Sequence, residues 1–278
     1  MKSRDLNAVF ILTVIYFFIE LIGGLYYKSL ALVTDASFMA INITGQLIAL
    51  YVKKLSKRPP DKNNTFGYER AKVLSGLFNG ILVGFVLFYV LIDSYGRITN
   101  PRPLDADKVF YIAIIGFCVN GFGLFKLYKH SADINIKGSF LLILNDALGS
   151  VGVIVSSLII KFTGLYVVDA ITSIFIGLLV AYPTYILLKH SIGILMEGAP
   201  AGIDIETVRK FIYESFDYIK KVKDLHIWVL TPEKIIMAAR IRTDGMVYNR
   251  GKVKALKRRL EKKFGFYDVY VEIYEEEK

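Results

Sequence analysis

Hydrophobic residues fall along this chain in blocks of about twenty up to Gly198, and beyond it the pattern breaks into shorter, charge-rich segments. The blocks run from Asn7 to Tyr26, Leu30 to Val52, Val73 to Ile92, Val109 to Leu127, Phe140 to Ile160 and Val167 to Leu188. A helix rises about 1.5 Å per residue, so roughly 20 residues cross about 30 Å of hydrocarbon. Each block therefore predicts a membrane-spanning helix. The first, with Glu20 inside it and Lys28 just beyond, is too long and too polar at its end for a cleaved signal peptide and reads as a retained span.

After Glu197, the stretch Gly198 to Ile203 carries two glycines and a proline, which ends the last span and opens a new unit. Asp204 reads as an N-cap. Val208, Phe211, Ile212 and Phe216 follow at spacings of three to four, the buried stripe of an amphipathic helix. Asp224 to Leu230 and Lys234 to Thr243 are rich in strand formers and flank a short turn at Pro232, which predicts a hairpin. A basic helix over Arg250 to Phe264 and an alternating strand over Tyr267 to Tyr274 complete the order helix, strand, strand, helix, strand. About 75 residues are close to the minimum for a stable core, so this unit is expected to lean on a dimer partner. The domains are 1–197, a six-helix membrane domain, and 198–278, a cytosolic α/β dimerisation domain.

Composition agrees, with mean hydropathy of +0.45 and 54% hydrophobic against 22% charged residues. Charge then orients the bundle. Lys2, Arg4, Lys53, Lys54, Lys57, Arg58, Lys62, Arg70, Lys72, Lys126, Lys129 and Lys137 fall at alternate span ends. The opposite ends hold only Lys28, Arg97, Arg102, Lys108 and Lys161, so the positive-inside rule places both termini in the cytoplasm. The net charge of +10 is largely spent on these flanks, which removes the case for nucleic acid as a partner. Cys118 is the one cysteine, so neither a disulfide framework nor a cysteine metal cluster is available. No triad, phosphate-binding glycine loop or paired carboxylate points to an enzyme.

Three stretches carry a resemblance: SLALVTDASFMAIN at 29–42, FGYERAKVLSGLFNG at 66–80 and NDALGSVGVIVSSLIIKFTG at 145–164. With EGAPAGID at 197–204 and DLHIW at 224–228, they resemble the cation diffusion facilitator family in segment order over nearly the whole chain. The resemblance implies a homodimeric exporter of zinc or a related divalent cation, commonly coupled to proton antiport. It also implies six membrane helices and a metallochaperone-like, ferredoxin-like cytosolic domain. The cation is cargo, and no permanently bound cofactor is expected.

In the family, a His or Asp and an Asp four residues later on the second helix face a similar pair on the fifth. Residues i and i+4 share a helix face, so two such helices can present four N/O ligands to a tetrahedral dication. Carried over by position, these ligands fall on Phe38 and Asn42, and on Leu142 and Asp146. Phe38 and Leu142 offer no lone pair, and an asparagine oxygen is a neutral, hard donor better suited to magnesium, calcium or manganese than to zinc. The family's zinc site cannot form on this chain. Asn64 stands where the cytosolic loop often has a histidine, and the tail's frequent metal-binding histidines map onto Lys223, Arg240 and Asp268. His226 and Asp268 remain the tail's candidates, with His226 expected to pack or hydrogen-bond.

Asp146 is a carboxylate in mid-span, which is costly and normally faces the bundle interior. It reads either as a functional ligand or as a relic held by Asn145, Ser150 or a neighbouring helix. Asp35 shares nearly one helical face with Phe38 and Asn42, and reads either as part of a displaced oxygen site or as a solvated helix-end residue. Glu20 and Asp169 match family positions near helix ends and are expected to be structural or interfacial. Asn79 and Asn120 read as interhelical hydrogen-bonding residues, and Gly23, Gly24, Gly149 and Gly152 as close-approach positions. His130 and His190 lie at helix ends without ligand-spaced partners. The basic face of the second tail helix is solvated or rests on anionic headgroups.

Two functions follow. The first is a divalent-cation carrier of the plasma membrane with a rearranged oxygen-rich site at Asp146, Asn42 and Asp35. The second is a non-transporting subunit that pairs with and stabilises or regulates a ligand-complete relative.

Overall fold

The computed structural model describes residues 3–128, 134–243 and 250–274. His130 and Lys129 lie outside the described residues, as does the side chain of Lys137. Six long helices come first: α1 (Ser3–Tyr26), α2 (Leu30–Leu55), α3 (Ala71–Thr99), α4 (Ala106–Tyr128), α5 (Ile134–Thr163) and α6 (Val167–Leu195). All six are long and apolar enough to cross a membrane. Large apolar side chains such as Ile15, Phe18, Ile22, Phe85 and Phe88 are exposed on them, as expected where the outer solvent is hydrocarbon.

The chain forms two compact units. The first, Met1–Leu50 with Phe78–Leu188, is the body of the bundle. In it α1 packs on α4 and α4 on α5. Small residues permit this approach: a Cβ at Gly116 of α4 would collide with the Tyr16 hydroxyl of α1, and one at Gly23 with Ile112. Tyr27–Ser29 links α1 to α2 in three residues, with Lys28 in the left-handed region (φ 63°) to make the reversal. The first turn of α2 is capped from another helix. Asp169 of α6 accepts from Ser29 Oγ (2.6 Å), Leu30 N (2.5 Å) and Ala31 N (3.4 Å), supplying the negative charge that a helix N-terminus favours. Arg97 of α3 lies 3.8 Å from Asp169, pairs with Asp93 at 2.9 Å and donates to the Lys28 carbonyl at 2.6 Å.

The second unit comprises Tyr51–Leu77 and Lys189–Lys278. Its C-terminal part runs α7 (Ile205–Ser215), β1 (Ile219–Thr231), β2 (Lys234–Thr243), α8 (Arg250–Phe264) and β3 (Asp268–Ile273). The sheet order is β1-β2-β3, with β1 and β2 antiparallel and β2 and β3 parallel across the α8 crossover. Asp204 caps α7, its carboxylate accepting from Thr207 N at 2.9 Å and Thr207 Oγ1 at 2.6 Å. These bonds hold its carboxyl below the usual carboxylate range. Val208 and Ile212 of α7, Leu256 and Leu260 of α8, and Val222, Met237, Ile241 and Val269 of the sheet form one buried core. Phe216 ends α7 as its C-cap and packs against this core. The expected basic face of α8 lies partly over aromatic rings: Lys263 is 3.9 Å from the Phe211 ring centroid and Arg259 is 4.7 Å from that of Phe216.

Within the same unit, the 56–70 loop is joined to the C-terminal part by two ion pairs. Arg70 meets Glu197 at 3.0 Å and Lys234 meets Glu69 at 2.7 Å. Val73, Ile194 and Val229 pack together beside them.

Candidate functional site

Asn42 of α2 and Asp146 of α5 come together, with Asn42 Nδ2 donating to Asp146 Oδ1 at 3.4 Å. They line a cavity of about 60 Å³ whose other polar walls are Thr13 of α1 and Gln46 of α2, closed by Val9, Met39, Leu127 and Leu142. That volume holds a few water molecules. The polar side chains are a carboxyl, two amides and a hydroxyl, so the oxygens present suit a hard cation and Asp146 is the one acidic group among them.

The two positions that lack ligand chemistry differ. Phe38 is 2% exposed and packs in the bundle core with Leu32, Ile41, Val83, Val109 and Ile176, so its ring fills interior space and offers no donor. Leu142 is 39% exposed and lines the cavity wall.

Asp35 is 2% exposed, which overturns its reading as a solvated helix-end residue. Its Oδ1 lies against Gly149 of α5, where a Cβ would stand 2.6 Å away. Glu20 is fully buried, and its carboxyl meets that of Asp35. Tyr16 donates to Glu20 Oε1 at 3.0 Å. Glu20 is therefore a member of the polar interior, a placement the sequence reading missed. A signal existed: Thr13, Tyr16 and Glu20 recur at i, i+3 and i+7, one face of an otherwise apolar helix. Asn120 donates to Ser150 Oγ at 3.4 Å, the interhelical role expected of it. Ser150 in turn donates to the Asp146 carbonyl at 3.1 Å, so it does not hold the Asp146 carboxylate.

The second-unit candidates do not assemble a metal site. Asp61 Oδ1 accepts from the backbone of Asn63 (2.9 Å) and Asn64 (2.7 Å), and its Oδ2 accepts from the Tyr68 hydroxyl at 2.5 Å. The Tyr68 bond, then the backbone bonds, hold the Asp61 carboxyl below its usual range, and the same bond pushes the Tyr68 hydroxyl up. The loop carboxylate is thus satisfied by protein donors. His226 is exposed in a groove with Asp224, Arg240 and Glu272. Arg240 pairs with Asp224 at 3.4 Å and Glu272 at 3.0 Å, so a guanidinium holds the charge a metal would need. Asp268 stands opposite Ile236, two positions along from Ala238, which faces His226; its Oδ1 accepts from Val269 N. Among the described residues, no three His, Cys, Asp or Glu side chains converge to hold a metal ion.

Comparison with known proteins matches residues 6–196 to the cation efflux transmembrane domain and residues 200–275 to the cytoplasmic domain of cation efflux proteins. The chain belongs to the cation diffusion facilitator family. Among similar members, the metal cation efflux system protein CzcD of Cupriavidus metallidurans is 36% identical over 273 residues, 98% of this chain and 86% of the relative. The cadmium, cobalt and zinc/H(+)-K(+) antiporter of Bacillus subtilis is 34% identical over 233 residues, 83% of this chain and 75% of the relative. The zinc transporter ZitB of Escherichia coli is 32% identical over 242 residues, 86% and 77% of the two chains. As a facilitator, the chain is an integral membrane protein with the family's dimerisation domain at its C-terminal end.

Proposed function

We propose that this facilitator carries divalent metal cations across the plasma membrane through an oxygen-donor site at Asp146 and Asn42, assisted by Asp35. The observation that supports this reading is the Asn42–Asp146 contact at the wall of a water-sized cavity. A carboxylate in mid-span is expensive unless it faces such a cavity or a partner. The relatives' names specify metal cations, with zinc, cadmium and cobalt among them. On this chain the donors favour harder ions of the magnesium and manganese class. Both termini face the cytoplasm on the basic-residue distribution, and proton antiport is the expected coupling.

The test is flux into proteoliposomes containing only this chain, beside the Asp146→Ala variant. Manganese or magnesium flux that the variant loses is the expected result. No flux of manganese, magnesium, iron, cobalt or zinc by the parent chain would sink autonomous transport.

A second reading is favoured by Phe38, whose ring packs within the bundle core at a position where the resemblance implies a ligand. It makes this chain a non-transporting subunit that pairs with a ligand-complete relative. Co-purification with that relative is its requirement, and consistent recovery as a homodimer counts against it.

A further inference from the structure

We propose that Asp35 assists the Asn42–Asp146 site from a neighbouring cation station, formed with Glu20, that takes an oxygen-preferring divalent cation. This rests on the carrier reading and extends its path by one step.

Glu20 of α1 and Asp35 of α2 are both buried, and their carboxyl groups meet. Tyr16 satisfies Glu20 Oε1, whereas Glu20 Oε2 and Asp35 Oδ2 are enclosed without a hydrogen-bond partner. Among the described residues no lysine or arginine pairs with either carboxylate; Arg97 of α3 is engaged by Asp93, Asp169 and the Lys28 carbonyl. An orphan carboxylate oxygen in an apolar interior is costly, and two facing each other are more so. A bound cation removes both costs.

Charge and geometry indicate which cation. Asp146 with Asn42 offers one carboxyl, whereas Glu20 with Asp35 offers two, whose charges match a dication once it has displaced their protons. The Tyr16 hydroxyl adds a third oxygen at the pair. Magnesium-class ions are commonly held by one or two carboxylates with retained waters. The pair also lies beside the cavity site in the fold. Asp35 rests on Gly149, which is three residues, or nearly one helical turn, from Asp146 on α5. A cation leaving Asp146 thus meets Asp35 on the same face of that helix.

The experiment measures manganese binding to the full chain in nanodiscs by electron paramagnetic resonance. Glu20→Gln and Asp35→Asn are each expected to weaken binding by about tenfold or more, and Glu20→Asp to retain most of it. Binding at the parental level in Glu20→Gln would overturn the proposal. Carbodiimide labelling of the unaltered chain, read by peptide mass spectrometry, gives a measure that needs no variant: manganese should protect Glu20 and Asp35. Labelling of Glu20 that manganese leaves unchanged marks a pair that holds only a proton, and overturns the proposal too. Manganese protection without flux in proteoliposomes removes the carrier reading and keeps the station. Flux that survives Glu20→Gln unchanged does the reverse.

Discussion

The Asn42 side-chain amide donates to the Asp146 carboxylate at 3.4 Å, joining α2 to α5 at the wall of the cavity that both residues line. The amide nitrogen is the donor here, so a cation must turn Asn42 to present its oxygen or displace it. Restoring the family chemistry is therefore a direct test of the site. The combined change Phe38→His, Asn42→Asp and Leu142→His is expected to raise zinc affinity by about a hundredfold or more, measured by competition with a chromophoric chelator. Asn42→Asp by itself should raise it least, because both nitrogen ligands stay absent.

Gly149 sets the approach of α5 to Asp35. In Gly149→Ala the new methyl would stand 2.6 Å from Asp35 Oδ1, well inside contact distance, so carboxylate or helix must shift. Manganese flux should fall by about tenfold or more, with the protein still eluting as a folded species. Gly152→Ala makes a suitable control, since its Cβ would meet only Thr172 at an ordinary 3.5 Å.

Asp169 caps α2 through Ser29, Leu30 and Ala31 and is itself buried. Asp169→Ala should lower stability by about 1–3 kcal/mol, the cost of leaving buried donors unmade. A thermal-unfolding midpoint in nanodiscs reads this directly. Because Arg97 also faces Asp169, the pair Arg97→Met and Asp169→Ala should be less than additive.

Acid should loosen the start of α7. The Asp204 carboxyl is held below its unfolded value by the Thr207 bonds. Its stabilising contribution is therefore present above the unfolded carboxylate value of about 4 and is lost as pH falls through the lower folded value. Hydrogen exchange at Thr207 N should rise below about pH 4 in the parent chain, and should already be raised at neutral pH in Asp204→Ala.

In the C-terminal core, Ile212 is fully buried among side chains from both helices and the sheet. Ile212→Ala is expected to cost about 2–5 kcal/mol, read as a fall in the thermal midpoint of the purified full chain.

The spans were legible because lipid demands unbroken apolar stretches, and α7 because Val208 and Ile212 mark one face. β1 was less so. It begins at Ile219 rather than Asp224, because register shifts at 219/221 and 223/226 break the alternation around Lys221, Lys223 and Asp224, the last with φ 48°. The Asn42–Asp146 pairing was legible only through the family resemblance, which carries ligand positions onto both residues; spacing alone would not single them out, since Phe38 and Leu142 are no ligands. The place of Glu20 was not legible, because the pattern on α1 states which residues share a face but not which helix that face meets. Asp35 was ambiguous for a similar reason: its burial depends on Gly149 across the interface, not on its own neighbours in sequence.

The cap on α2 has a mechanical consequence. Held at Leu30 by Asp169, α2 is a beam pinned at one end, and displacement under a tilt grows with distance from the pin. Asp35 lies about 7.5 Å along the axis and Asn42 about 18 Å, so a tilt of about 10° moves them by roughly 1.3 Å and 3 Å. A tilt of that size would move Asp35 less than half as far as Asn42, so the two carboxylate levels need not change shape together.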